Sequence, residues 1–270
     1  MVGPLTVPHA LRPYVVGLVG YDVVGPPGVH RGLPGTSLTF VLPIGAPLDV
    51  AWSGDPGSRR ASWSSVAGLH AAPAEIRHDG HQEGLFLALT TAEARALLGL
   101  PAAAIAGQLL SLDDLAPRLR HLPEQLHDAS TWPERAGVLH RALATALSDH
   151  AGPGPRAEVG RALARLARGV AVAEVAHDVG YSRRHLRNLV VAETGLSPKE
   201  YQRVARFEAS RDRVLDAARR GGTLAGVAAA CGYADQAHLA REWRDLAGCP
   251  PTTWLREEFP DVQAGGVPAG

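Results

Sequence analysis

The stretch VAEVAHDVGYSRRHLRN, residues 172–188, decides the fold of the C-terminal part of this chain of 270 residues. An apolar run with helical spacing comes before Gly180-Tyr181, and a polar run that favours a helix comes after it. The pattern returns as LAGVAAACGYADQAHLAR at residues 224–241, with one additional residue, Ala234, after the second Gly-Tyr pair. A repeated unit of helix, tight glycine turn and polar helix predicts two helix-turn-helix units, the second with the longer turn.

The first polar helix is predicted to have one buried face and one exposed face. Leu186, Leu189 and Val190 recur at helical spacing and indicate the buried face. The residues predicted to contact DNA from this helix are Arg183, Arg184, Arg187 and Asn188. Arginine pairs well with guanine, and asparagine with adenine, in the major groove. An ordinary solvated helix is the alternative, but three arginines and an asparagine after a tight turn favour a DNA-reading helix.

The second polar helix, Asp235–Leu246, keeps the buried pattern and has fewer base-reading groups. The residues predicted to contact DNA from it are Gln236, Ala237, Ala240 and Arg241. We therefore expect the first unit to read base sequence. The second unit is expected to supply mainly phosphate contact and shape readout.

A long helix is predicted between the two units. It opens with Ser197-Pro198-Lys199-Glu200, which combines an N-cap, a proline at the first helical position and a glutamate at the third. Its pattern continues to Ala218 and stops at Gly221-Gly222. About 22 residues at 1.5 Å each give roughly 33 Å, which is close to the ~34 Å turn of B-DNA. One chain could therefore place two helices in consecutive major grooves.

The chain is predicted to contain two domains and a tail. Residues 1–152 form a β-rich domain with helices at its C-terminal end, residues 153–258 form the helical domain, and residues 259–270 form a disordered tail. The linker is Gly152-Pro153-Gly154-Pro155, because glycine and proline break helices.

The first domain has the spacing of short strands. Apolar segments separated by glycine and proline turns run from Tyr14 to Thr90 and indicate a sandwich or small barrel. Two helices, Leu112–Ala129 and Pro133–His150, are predicted to follow. The second carries an apolar stripe that is either core or a dimer seam, made of Ala136, Leu139, Leu143 and Leu147.

The positive charge is concentrated where the repeat lies. The chain has 27 basic and 27 acidic residues, yet residues 153–258 carry 17 against 13 and residues 1–152 carry 10 against 13. A basic half is what a phosphate-contacting module needs. The two cysteines do not make a disulfide framework, and the sequence shows neither a signal peptide nor the roughly 20 apolar residues of a membrane span. These features predict a cytoplasmic protein without a membrane partner.

Aromatic and histidine side chains are the candidate ligand-binding residues of the first domain. They are Trp52, Trp63, His70, His78 and His81. Tryptophans in a β-domain are more often plain core, and His78-x-x-His81 with Glu83 on a predicted turn is a weak metal pattern. The sequence has neither a glycine-rich phosphate loop nor a nucleophile elbow. We therefore expect no metal, no cofactor and no catalytic residue.

The two repeated units share further residues with a known family. These are Val175-Ala176, Val179-Gly180-Tyr181-Ser182, Leu186, Glu193, Gly195-Leu196-Ser197-Pro198, Tyr201 and Arg206 in the first, and Val227-Ala228, Cys231-Gly232-Tyr233, Asp235-Gln236, Leu239, Gly248 and Pro250-Pro251 in the second. They resemble the DNA-binding domain of the AraC/XylS family of transcriptional regulators, over residues 156–258. The resemblance implies seven helices, a rigid connecting helix, and base contacts at Arg184, Arg187, Asn188, Ala237, Ala240 and Arg241. The two alanines depart from the polar readers that are common in the family.

The first domain more loosely resembles the cupin-like N-terminal domains of some of these regulators. The matching residues are Leu11-Arg12-Pro13-Tyr14-Val15, Pro34-Gly35, Leu97-Leu98-Gly99 and Leu112-Asp113-Asp114-Leu115. The resemblance implies a sensory or dimerising β-domain. The expected fold is thus α+β, a cupin-like barrel or sandwich followed by an all-α domain with two helix-turn-helix units.

The sequence therefore predicts a sequence-specific transcriptional regulator, not an enzyme, whose first domain responds to a small molecule or mediates self-association. One alternative is a DNA-binding regulator whose first domain only dimerises. Another is a metal-dependent cupin enzyme fused to a DNA-binding domain. The expected partners are double-stranded DNA, a small-molecule effector, a second copy in a homodimer, and RNA polymerase if the protein is an activator.

Overall fold

The computed structural model describes residues 3–148 and 156–259, apart from the side chains of residues 92–94. The predicted linker Gly152–Pro155, and the predicted tail apart from Phe259, lie outside the described residues. Two antiparallel sheets come first and a set of helices follows. The predicted α+β order is confirmed.

Ten strands form the two sheets within residues 3–148. They are β1 (Gly3–Pro4), β2 (Val15–Val24), β3 (Gly28–Gly32), β4 (Leu38–Pro43), β5 (Leu48–Trp52), β6 (Asp55–Ser62), β7 (Ser65–Ala67), β8 (Ala74–His78), β9 (His81–Leu89) and β10 (Leu109–Ser111). The first sheet has the order β1-β2-β9-β4-β7-β10, and the second has the order β3-β8-β5-β6. The described strands thus form a two-sheet sandwich, and the predicted alternative of a closed barrel is wrong.

The first sheet has two different faces. In β9 the buried Leu85, Leu87 and Leu89 belong to the main core, and they pair in register with residues of β4. Alternate residues of a strand point to opposite faces, so Phe86 and Ala88 face the second sheet, where they line a cavity. This alternation separates a filled core from a space between the sheets.

The helical segment after the strands is more broken than predicted. Helix α1 (Thr91–Leu98) is followed by a 3-10 turn at Ala102–Ile105, and the predicted single helix Leu112–Ala129 is wrong. It divides into α2 (Leu112–Leu115), a 3-10 turn at Pro117–Leu119, and α3 (Leu122–Asp128). Proline lacks an N–H and disfavours helical backbone at the residue before it, and Ala116 before Pro117 has left the helical region at φ −136°.

Helix α4 (Trp132–Ser148) carries the predicted apolar stripe. Leu139 and Leu143 are buried in the main core, and Ala136 and Leu147 are half-buried. Leu139 and Leu143 are therefore core residues, which excludes them from a dimer seam.

Seven helices make up the described C-terminal part, the number that the family resemblance implies. They are α5 (Ala157–Ala167), α6 (Val172–Asp178), α7 (Arg183–Thr194), α8 (Pro198–Arg220), α9 (Leu224–Ala230), α10 (Gln236–Ala247) and α11 (Pro251–Glu258). Their buried side chains join the main core of the first domain in one continuous cluster.

Candidate nucleic-acid interface

The two helix-turn-helix units have the same turn. Gly180 and Gly232 lie in the left-handed region, at φ 76° and 72°, where a side chain would be strained. The next N–H returns to the preceding helix in both units, from Tyr181 to the Ala176 carbonyl at 2.8 Å and from Tyr233 to the Ala228 carbonyl at 2.9 Å. The repeat therefore specifies one backbone geometry twice.

Each polar helix begins at a side-chain cap. The Ser182 hydroxyl accepts a hydrogen bond from the His185 N–H at 3.2 Å, and the Asp235 carboxylate accepts one from the His238 N–H at 2.6 Å. Four residues separate α6 from α7 and five separate α9 from α10. The longer second turn, with Ala234 as the additional residue, is confirmed.

The exposed face of α7 is basic, and within the described residues it has no ion pair closer than 4.0 Å, although Arg187 interacts electrostatically with Glu200. Arg183, Arg184, Arg187 and Asn188 are all exposed, whereas Leu186 and Val190 are buried beneath them. Within the described residues no carboxylate lies within 4.0 Å of the three guanidinium groups. These donors are therefore available to guanine edges and phosphates, as the major-groove pairings require.

Helix α10 has the same anchoring and a plainer exposed face. Leu239, Trp243 and Leu246 are fully buried. Of the residues predicted to contact DNA, Gln236, Ala237 and Arg241 are exposed and Ala240 is half-buried. Of these four residues only Arg241 is charged. The predicted contact residues of α10 therefore carry less positive charge than those of α7.

The connecting helix α8 spans 23 residues, or roughly 34 Å at 1.5 Å per residue. The predicted capping box is present, because Ser197 and Glu200 cap each other's backbone N–H. Phe207 of α8 packs edge-on against Trp243 of α10, with ring centroids 5.0 Å apart, and the indole N–H donates to the buried Ser210 hydroxyl at 2.9 Å. The second unit is thereby fixed to the connecting helix.

Two other arginines of the C-terminal part are engaged in structure. Arg203 bonds to Glu242 at 2.9 Å and to Asp245 at 2.5 Å. Arg206 lies over the ring of Tyr233, 4.8 Å from its centroid, and 3.8 Å from Glu242. These guanidinium groups connect α8 to the second unit, which sets them apart from the free arginines of α7.

A cavity of about 500 Å³ lies between the two sheets and opens toward the C-terminal helices. Its sheet lining is mainly apolar and includes Val41, Val50 and Phe86. Charged side chains enter where the two parts of the molecule meet, and they are Arg31, Glu208, Arg211 and Glu258. An apolar space with a few charged groups at one end suits a small amphipathic ligand.

The structure separates the five candidate ligand residues. Trp52 and His70 line this cavity together, with ring centroids 4.6 Å apart. His78 and His81 line a second, more open pocket, and Trp63 is about half exposed against His127.

Burial lowers the pKa of His70, so the ring is neutral near pH 7. Its Nδ1 lies 2.6 Å from the Ala72 carbonyl oxygen. A carbonyl only accepts, so the proton is on Nδ1 and Nε2 is left as an acceptor. Across the described chain, no group of three or more histidine, cysteine, aspartate or glutamate side chains is arranged to hold a metal ion.

The charged residues around the cavity were not predicted from the sequence. Arg31 lies in a short strand in which apolar and polar residues do not alternate. Arg211 and Glu258 lie in helices, where the spacing of apolar residues indicates only that these two side chains are outside the core. Their role depends on contacts between residues more than 170 positions apart, for which one sequence carries no signal.

A family model described as a helix-turn-helix domain matches residues 175–257. No curated protein matches the chain. Among solved structures, ToxT from Vibrio cholerae O395 is similar at a TM-score of 0.52 and 8% identity, covering 88% of this chain and 96% of that one. ToxT with bound unsaturated fatty acid, from Vibrio cholerae strain SCE256, has a TM-score of 0.51 and 9% identity, covering 95% and 97%.

ToxT from Vibrio cholerae O395 bound to (E)-4-(8-methylnaphthalen-1-yl)but-3-enoic acid has a TM-score of 0.53 and 8% identity, covering 88% and 98%. At such low identity the likeness shows a shared fold. It extends over both the sheets and the helices. No helix within the described ranges is long and apolar enough to cross a membrane.

Proposed function

We propose that this chain is a DNA-binding regulator of transcription in which α7 reads base sequence while α10 mainly fixes position. The match of residues 175–257 to a helix-turn-helix domain supports this proposal. The observation that carries this proposal is the exposed, unpaired set of Arg183, Arg184, Arg187 and Asn188 on α7. Within the described residues, the corresponding face of α10 carries two exposed arginines without ion pairs, Arg241 and Arg244, and no exposed asparagine. A protein that acts on promoter DNA in this way would work in the cytoplasm.

The test begins with selection of bound sites from random DNA by the full-length protein. Arg187→Ala and Asn188→Ala should each weaken binding to the selected site by about 1–3 kcal/mol and relax the preference at one position. Arg161→Ala, on the exposed side of α5, is the matched control and should bind like wild type. Failure to select any site would contradict the proposed function, and wild-type binding by both α7 variants would contradict the assignment of α7.

We further propose that the cavity between the sheets binds a small apolar molecule with an anionic group. ToxT, which shares the fold, has been solved with an unsaturated fatty acid and with an aryl butenoic acid. Arg31 and Arg211 are the two cationic side chains at the charged end of the cavity. Arg211 would pair with the acid group while the sheets cover the apolar part, because Glu257 already holds the Arg31 guanidinium at 2.9 Å.

An unsaturated fatty acid and its methyl ester are suitable probes for this site. Ligand at about 100 times its Kd adds about 2.7 kcal/mol of stability, and each kcal/mol raises the Tm by about 2–4 °C in a protein of this size. The acid should raise the Tm and the ester should raise it less. Val50→Phe, which fills the cavity, should remove the shift, and the matched Val24→Phe on the exposed surface should keep it.

The alternative is a first domain that only dimerises. It predicts no Tm shift with any acid and a dimer in light scattering. A partly empty sandwich interior favours the ligand-binding proposal, because side chains fill the interior of a purely structural sandwich.

A further inference from the structure

The C-terminal end of α7 rests on the first domain. Gly195, the residue that ends α7, lies in the left-handed region, and a Cβ there would overlap the Ala106 Cβ and approach the Ala103 Cα. Ala103 belongs to the 3-10 turn between α1 and β10, and α7 packs along that turn. The helix that carries the base-reading side chains is therefore seated directly on the first domain.

A largely buried ion pair adds to this contact. The Arg95 guanidinium of α1 donates to the Glu193 carboxylate of α7 at 3.2 Å, and the Glu193 side chain is only 8% exposed. The second carboxylate oxygen of Glu193 and the Nε of Arg95 are buried without a partner. A buried pair with few other hydrogen bonds is a weak source of stability but holds two elements in register.

The C-terminal end of α10, like that of α7, contacts the first domain. Gly248, which ends α10, lies against Arg31 and Pro73 of the first domain, with a Cβ position 3.3 Å from Arg31 Nη1. Arg31 donates to the Ala247 carbonyl at 3.5 Å and to the Glu257 carboxylate at 2.9 Å. Both DNA-reading helices thus meet the first domain through the glycine that ends them.

The connecting helix is held between these two contacts. The Glu208 carboxylate of α8 accepts hydrogen bonds from the Thr36 N–H at 3.0 Å and the Thr36 hydroxyl at 2.8 Å. The first domain therefore touches the end of α7, the middle of α8 and the end of α10.

We propose that the first domain sets the separation and relative angle of α7 and α10, with Arg95 and Arg31 as positioning residues. This inference rests on the proposed function, because it concerns how two helices reach consecutive major grooves. One base pair moves a half-site by about 3.4 Å and turns it by about 35° around the DNA axis. A firmly held pair of helices accepts one spacing, and a loosely held pair tolerates several and has a larger ordering cost on binding.

The experiment uses the full chain and the site selected with wild-type protein. In a series of duplexes, the two half-elements are moved by −1, 0 or +1 base pair, and the Kd for each is measured by fluorescence anisotropy. Arg95→Ala and Arg31→Ala should each weaken binding to the original spacing by about tenfold, the scale of a lost preorganising contact. They should also reduce the penalty for the altered spacings, a change that lower stability alone would not produce.

Arg59→Ala is the matched control, because the ion pair of Arg59 among the described residues is with Asp49, at 3.7 Å within the first domain. It should keep wild-type affinity and spacing penalty. The double variant Arg95→Glu with Glu193→Arg restores an ion pair with the charges exchanged. It should lose more affinity at the altered spacings than Arg95→Ala does, and so be closer to wild type. If Arg95→Ala does not fold, Arg31→Ala and Arg95→Lys carry the same test.

Folded variants that keep the wild-type spacing penalty would overturn the inference while leaving the proposed function intact. If wild-type protein selects no DNA at all, the proposed function fails. A wild-type protein that binds all three spacings equally would also overturn the inference.

Discussion

At the scale of single residues, the arginines of the C-terminal part fall into two groups that the sequence does not separate. The helical spacing of Leu186 and Val190 predicts correctly that Arg187 is exposed. The same kind of argument places Arg203 on a solvated face. It cannot show that Glu242, 39 positions away, occupies its guanidinium group. Exposure follows from local periodicity, whereas pairing follows from tertiary contacts.

The roles proposed for Arg187 and Arg241, base reading and phosphate contact, lead to a test of the two units. Arg241→Ala should weaken binding to all DNA sequences alike and lower the slope of log K against log salt by about 1, as expected for a phosphate contact. Arg187→Ala should instead lower the discrimination against one altered base. Anisotropy titrations at several salt concentrations, on selected and scrambled DNA, distinguish the two. Equal loss of discrimination in both variants would contradict the asymmetry.

His30 joins β3 to α11 in a way that depends on pH. Its Nδ1 lies 2.7 Å from the Glu258 carboxylate, and this hydrogen bond raises the His30 pKa. Gln82 of β9 faces its Nε2 at 2.6 Å, and His78 of β8 stacks on the ring at 4.5 Å. Burial lowers the pKa of His78, and the charge of the stacked His30 lowers it further.

A raised folded-state pKa adds stability that is present below the ordinary histidine pKa of about 6.5 and is lost as pH rises through the raised value. The loss of unfolding free energy in His30→Asn should therefore be larger at about pH 6 than at about pH 8.5. Urea denaturation of wild type and His30→Asn at the two pH values measures this loss of unfolding free energy. In the Glu258→Gln background the pH dependence should disappear. If it persists there, the pairing does not cause it.

At the scale of elements, prediction succeeded where a pattern is local and periodic. The two helix-turn-helix units, their caps and the connecting helix all follow from the spacing of apolar residues, glycines and capping residues. Strand β6 (Asp55–Ser62) was not predicted, because its residues are largely exposed and show no alternation. The single helix predicted over residues 112–129 fails because the prolines at 117 and 123 act on a pattern that is otherwise helical.

The glycines that end helices allow the seating of α7 to be measured. Gly195 and Gly221 both end helices with positive φ, at 78° and 74°, but only Gly195 has neighbours within 4 Å of a Cβ position. Alanine at either position carries backbone strain of about 1–2 kcal/mol. Gly195→Ala should lower the unfolding free energy by at least about 1 kcal/mol more than Gly221→Ala does, because the added methyl group overpacks the contact with the first domain. Equal losses in urea denaturation would mean that α7 is not seated on the first domain.

The joint between α8 and α10 supports a second prediction at this scale. Ser210 and Trp243 are both fully buried, and the Ser210 hydroxyl is the partner of the indole N–H. Ser210→Ala leaves that N–H unpaired and should cost about 1–3 kcal/mol of unfolding free energy. Ser148→Ala, at an exposed hydroxyl, is the control and should change it little.

At the scale of the whole molecule, the sequence predicts two domains but not how far they share one interior. The main core runs without a break from the leucine face of the first sheet into the C-terminal helices. The cavity between the sheets was also beyond prediction. Val50, Ala74 and Leu109 form a small buried cluster in that interior, with partly buried apolar side chains packed against it. Residues suited to a core cannot show that space is left between them.

A shared core should make unfolding a single event. Differential scanning calorimetry is expected to show one transition with equal calorimetric and van't Hoff enthalpies. Two domains joined only by the linker would instead give two transitions. A second transition in the wild-type protein would therefore contradict the shared core.

The seating of Gly195 on Ala106 also constrains how the protein can diverge over evolutionary time. A larger side chain at either position would push α7 away from its support, so neither site is free to drift alone. Across descendants of this chain, the two positions should vary together or stay small together. If α7 reads promoter sequence as proposed, a change at 106 that is silent for the first domain by itself would alter which promoters the protein recognises. Its regulatory targets would then shift without any substitution on the exposed face of α7.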